Sequence, residues 1–262
     1  MNFEQNLTNL KKRTFSPERK VLTVYLNTES ERSQQAPYKI RLKNGLNRLK
    51  EYAEAEGAIE EAKQLSEVQT LLEKTVEEHR GDLKKGLIMI ACPTEGLLFL
   101  EKLQISAPNA FYWQENPVLD ELHEICNQYP AAGIILVGSE TVTVLDTLLG
   151  GIEREWNYEW DMSTEDWREY QGASSSHREA SRATHKEQFV KRVDANRLRW
   201  MKRLGPILER HNQRNNWKEI VLTGEAGLTA ELSKELNGKK PRILSKNLNG
   251  MTSNQVLREV YA

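Results

Sequence analysis

Between Ser174 and Lys218 the chain carries twelve Lys or Arg against four Asp or Glu, whereas Glu153 to Glu169 carries seven Asp or Glu against two Lys or Arg. With a formal net charge of -1 over 262 residues, uniform coating of a nucleic acid is excluded. Contact with phosphates has to come from local segregation of this kind. Arg192, Arg199, Arg203 and Arg210 fall on one helical stripe, which suits phosphate contacts and equally suits a solvated helix face. Ahead of the stripe lies Gln171-Gly172-Ala173-Ser174-Ser175-Ser176. Small side chains there let backbone amides come close to a ligand, and a plain surface connector is the other reading.

The remaining reactive residues point to less. His177, His185 and His211 are spaced by eight and twenty-six positions, which does not make a helical metal pair; they read as polar surface histidines. Asp146 and Glu140 flank strands, but two carboxylates are a poor basis for metal-dependent nuclease chemistry. Cys92 and Cys126 sit in apolar stretches with no Cys or His at ligand spacing and read as buried, reduced thiols of a cytosolic protein. Trp156 and Trp160 could stack on bases or pack inward. Neither a Walker-type nor a dinucleotide glycine pattern occurs, so the expectation is no metal and no cofactor.

The elements that would position these residues are legible from periodicity. Apolar residues make up 38% and charged residues 29% of the chain, with a mean hydropathy of -0.67. Long, highly charged helices account for this without disorder. The N-terminus lacks the order of a signal peptide, and no apolar run reaches the roughly 18–20 residues of a membrane span. Val21–Leu26 reads as a first strand. Leu42, Leu46, Leu49 and Ala53, then Leu65, Val68, Leu72 and Val76, predict a pair of helices forming an arm that breaks near Gly57. Gly86–Cys92 and Gly96–Leu103 read as a hairpin. Asn116-Pro117 reads as the cap and first position of a helix running to Tyr129-Pro130, where the domain boundary is placed. Gly133–Val137, Thr141–Leu149 and Glu153–Trp160 then form three meandering strands. A long helix is expected from the Ser176/Glu179 capping pair, kinked or ended at Gly205-Pro206. Ile220–Leu222, Leu228–Leu236, Arg242–Leu244 and a helix capped by Thr252 with Gln255 complete an open α/β sheet.

Taken together, Val21–Thr28, Gly133–Val137, Gly150-Gly151-Ile152-Glu153, Lys191-Arg192-Val193 and Glu219–Gly224 resemble, in order and spacing, the bacterial branch of the archaeo-eukaryotic peptide-chain release factors. The resemblance implies two α/β domains: an N-terminal one with a helical arm, 1–129, and a ribonuclease-H-like middle domain, 130–262. It further implies a Gly-Gly-Gln loop ahead of a basic helix, reaching the peptidyl-transferase centre. A gap-free count back from Phe189 sets Gln171-Gly172-Ala173 at that loop, with Ala173 where the family has its catalytic glutamine; a gap in the loop would shift the register and leave Gln171 or His177 as the substitute. The family's codon-reading motif is not evident in the first domain, and the third domain of relatives is expected to be missing. The resemblance implies ribosome, rRNA or tRNA as partners, with a translational GTPase left open and no membrane. The RNA-facing residues it implies are Gln171, Gly172, Ala173, Arg178, Arg182, Lys186, Arg192, Arg199 and Arg203. The function expected is a cytoplasmic, ribosome-associated factor acting in rescue or hibernation by occupying the tRNA-binding space. The alternatives are an active peptidyl-tRNA hydrolase and an RNA-binding adaptor without ribosome action.

Overall fold

The computed structural model describes residues 3–15, 20–29, 36–160, 182–236 and 238–262, without the side chains of 182–192. The chain divides into two compact units, Met1–Asn127 with Leu149–Gly151, and Gln128–Leu148 with Ile152–Ala262.

The first unit contains α1 (Phe3–Lys12), β1 (Val21–Asn27), α2 (Pro37–Ala55), α3 (Ile59–Glu78), β2 (Gly86–Cys92), β3 (Gly96–Leu103), β4 (Ala110–Gln114) and α4 (Asp120–Gln128), whose last residue lies at the division. Its strands lie in the order β3-β2-β1-β4, every pairing antiparallel. Strand alternation sends Leu22, Val24 and Leu26 of β1 and Leu87 and Met89 of β2 to one face. There they share a core with Leu42 and Leu46 of α2 and Leu65, Val68 and Leu72 of α3. The helix pair expected from periodicity forms, and its inward stripes cover this face of the sheet. Its stripes find their apolar partners across the strands. Gly57 does sit at the break, with φ +77°, where an ordinary side chain would be strained.

The opposite face holds Tyr25, Ile88 and Ile90, each wholly buried. The Tyr25 hydroxyl donates to Val118 O (2.9 Å) and accepts from Leu122 N (3.3 Å), and Thr23 Oγ1 accepts from Val118 N (3.1 Å). These bonds hold Val118 against the sheet, so the helix predicted from Asn116-Pro117 begins only at Asp120.

The second unit is built from β5 (Ala132–Val137), β6 (Thr141–Leu148), β7 (Gly151–Glu159), α5 (Arg182–Asn215), β8 (Glu219–Gly224), α6 (Ala226–Glu235), β9 (Arg242–Ile243) and α7 (Ser253–Val260). The sheet order is β7-β6-β5-β8-β9. β5 pairs antiparallel with β6 and parallel with β8, and β8 pairs parallel with β9. This is the open mixed sheet that the ribonuclease-H-like expectation called for. One face, through Ile135, Val137, Ile220 and Leu222, packs on α5 and α6; the other, through Ile134, Leu136 and Val221, packs on α7. A capping box joins Thr252 and Gln255 at the start of α7, as their spacing predicts.

Helix α5 does not end at Gly205-Pro206. It runs through Pro206 to Asn215, although proline there removes an intrahelical hydrogen bond. Leu204 and Leu208, on either side, are 2% and 0% exposed, so burial against the sheet holds both halves helical. A side chain at Gly205 would meet Glu235 O of α6 at 2.9 Å; glycine is what lets the two helices approach this closely.

Candidate nucleic-acid interface

The buried side of α5 is set by Trp200, Met201, Leu204 and Leu208, a stripe of the period that one helix face requires. The charges consequently point outward. Arg199, Lys202, Arg203, Arg210 and Arg214 are all exposed. The two acidic residues of the helix whose side chains are described, Asp194 and Glu209, both have partners. Asp194 lies 3.5 Å from Arg197 Nη1, and Glu209 Oε1 accepts the backbone N–H of Gly238 at 2.9 Å. The described outer face gathers guanidinium and ammonium groups along one side of the helix. Such groups can neutralise phosphates and carry no base-reading information by themselves.

Of the residues implied to meet RNA, Arg199 and Arg203 stand on this face, one helical turn apart. Arg182, Lys186 and Arg192 fall within α5 at positions whose side chains lie outside the described residues. Gln171, Gly172, Ala173, His177 and Arg178 also lie outside the described residues, as does the Ser176/Glu179 pair.

Beneath the basic face lies a cluster that the sequence reading missed. His211 is half-buried, not a surface histidine. Its Nε2 is 2.7 Å from the Tyr158 hydroxyl, and its ring lies 4.1 Å from that of Trp156, centroid to centroid. Burial holds its pKa below the usual histidine value; Asp146 pulls the other way, while Arg210 and Arg214 reinforce the depression. Asp146 is itself buried and accepts the indole N–H of Trp217 at 2.7 Å. Burial pushes its carboxyl pKa up, against that bond. The available signal was the alternation of Trp156 and Tyr158, which puts two aromatics on one face of β7, with Trp160 in the same alternation just beyond its end.

Trp160 packs inward, stacked on Trp200 with centroids 6.4 Å apart, and Arg197 lies 5.8 Å over its ring. Stacking on bases is not open to a side chain so covered. Trp160 Nε1 and Arg197 Nε are buried without a hydrogen-bond partner, an unusual concentration of orphan donors beside the helix.

Among the described residues no group of three or more His, Cys, Asp and Glu is placed to hold an ion, and Asp146 is committed to Trp217. Cys92 is buried and Cys126 half-buried, both as free thiols. Among the described residues no helix is long and apolar enough to cross a membrane.

Comparison with known proteins covers both halves of the chain. Residues 130–262 match the model of bacterial archaeo-eukaryotic release factor family 5. The uncharacterized protein YocB of Bacillus subtilis (strain 168) is 30% identical over 248 residues, covering 93% of this chain and 92% of that one. Among solved structures, an archaeal translation termination factor, aRF1, aligns over 98% of this chain and 72% of its own, at 13% identity and a TM-score of 0.33. A second archaeal protein aligns with the same coverage at 15% identity and a TM-score of 0.29. By the family match and the extent of the YocB relationship, the chain belongs to the bacterial archaeo-eukaryotic release factor family, and a translation-related role goes with that membership.

Proposed function

We propose that the protein is a ribosome-associated factor whose second unit occupies the tRNA-binding space, in rescue of stalled ribosomes or protection of idle ones. The observation that carries this reading is the outer face of α5. On a domain of release-factor lineage, it gathers Arg199, Lys202, Arg203, Arg210 and Arg214 on the side away from the sheet. Division of the chain into domains 1–129 and 130–262 is part of the same proposal, supported by a family match that starts at residue 130. rRNA or tRNA is the contact proposed for the helix, and occupancy is favoured over hydrolysis because the gap-free register sets Ala173 where a glutamine would order the attacking water.

Sucrose-gradient sedimentation of the native protein with purified ribosomes, at low salt, tests this directly. Co-migration with ribosomal particles is the expected result. Protein left at the top of the gradient contradicts it. Run alongside, release of labelled peptide from stalled complexes separates occupancy from hydrolysis. Occupancy predicts no release above background. Release that disappears in Gln171→Ala or His177→Ala would replace it with the hydrolase reading.

A further inference from the structure

The α2–α3 hairpin ends in an acidic tip that outruns its own core. The inward stripe of α3 runs Leu72, Val68, Leu65, Ala62, each at most 5% exposed. Counting back one more turn reaches Ile59, at the first position of the helix, and there exposure jumps to 79%. The last ties between this end of α3 and the sheet are at Glu61. Its Oε2 receives Lys20 Nζ at 2.7 Å and Trp113 Nε1 at 3.1 Å. Ile59 stands just beyond them and, unlike Ala58 beside it, points away from the core. On the other side of the break, Tyr52 in the last turn of α2 is 61% exposed. A large aromatic and a β-branched residue so close to one chain reversal are costly to leave in water, and such anchors are typical of interface centres.

The surroundings identify what would cover them. Residues 51–61 hold five Glu and no Lys or Arg. Of these, Glu51, Glu54, Glu56 and Glu60 are exposed, with Lys50 3.9 Å from Glu54. A phosphate backbone is repelled by that rim, and a second copy of the same tip is repelled too. A protein surface with Lys or Arg around an apolar recess is attracted on both counts. From this complementarity we infer that the hairpin tip is a protein-docking site for a basic, apolar-centred surface. Resting on the ribosome-associated reading, the inference assigns that surface to a protein component of the ribosome. The two units would then divide the labour, α5 toward RNA and the hairpin tip toward protein.

Two variants test it, both at exposed positions so that the fold is spared: Tyr52→Ala with Ile59→Asp, and Glu54→Lys with Glu56→Lys and Glu60→Lys. Binding to purified ribosomes and to deproteinised rRNA is measured for each, with thermal melts alongside. The expected result is a loss of ribosome affinity of roughly tenfold or more in both, naked-rRNA binding unchanged for the Tyr52/Ile59 variant and no weaker for the lysine variant, and unchanged melting. A photoreactive benzophenone residue placed at position 59 should cross-link to a ribosomal protein. Wild-type ribosome affinity in both variants, or a cross-link to rRNA, overturns the docking inference and leaves the function standing. Failure of the wild-type protein itself to bind ribosomes overturns both.

Discussion

Each unit lays long, charged helices over one face of a sheet, and the two do so with opposite electrostatic results. In the first, α2 and α3 share a core with β1 and β2, and the turns around Gly57 gather glutamates. In the second, α5 packs Trp200, Met201, Leu204 and Leu208 on the sheet and turns arginines outward. A net charge of -1 conceals both surfaces. What a helix is for, in this chain, is written on the side that packing does not use. The core stripes are alike in kind, while the outer faces differ in the sign of their charge.

The largest effect expected from breaking this arrangement lies on the apolar side of α5. Leu208→Ala should destabilise the second unit by about 2–5 kcal/mol through loss of transfer energy and the cavity left behind. The melting transition assigned to residues 130–262 should fall, with that of the first unit unmoved. A smaller loss is expected from Asp146→Ala, which strands the indole N–H of Trp217, 1% exposed. Leaving that donor unpaired should cost about 1–3 kcal/mol, read by denaturant unfolding; a variant as stable as the parent would mean that the Trp217–Asp146 bond contributes nothing net.

The smallest effect is on pH dependence. His211 has a folded pKa below its ordinary 6.5, so the folded state binds fewer protons than the unfolded one. Its contribution to stability is complete above 6.5 and is lost as pH falls through the folded value. Asp146, with its pKa raised above 3.8, works in the opposite sense, its contribution present below 3.8 and lost as pH rises through the folded value. Melts of the second unit should therefore decline on acidification below 6.5, and His211→Gln should flatten that decline. An unchanged slope in the variant would show that burial of His211 is not coupled to folding.

How much of this was legible in sequence differs between the units for a physical reason. β5, β6, β8 and α7 announce themselves through local signals, namely buried apolar runs, β-branched alternation and a capping box. α1 and β4 went unread because what fixes them is distant in sequence. Phe3 meets Phe99 edge-on at 6.2 Å, and Ala110–Gln114 becomes a strand by pairing with β1. The continuation of α5 through Pro206 and the displaced start of α4 likewise follow from tertiary contacts that override local propensity. In the candidate interface, the charge segregation and the stripe of Arg199 and Arg203 could be read directly. The His211 cluster was legible only from the strand side, in the alternation of Trp156 and Tyr158, because His211 itself sits among polar neighbours in sequence.

The central claim, that the outer face of α5 contacts RNA and is not merely solvated, is tested most directly by ribosome binding across a salt series for the wild-type protein and an Arg199→Ala, Arg203→Ala, Arg210→Ala variant. Exposed charge substitutions should shift stability by no more than about 0.5 kcal/mol, which thermal melts check. If each arginine neutralises one phosphate, the log–log dependence of affinity on salt should flatten by roughly two to three units, with weaker binding at low salt. A variant that melts like wild type, binds as tightly and keeps the same slope would contradict the account and leave α5 a solvated helix face.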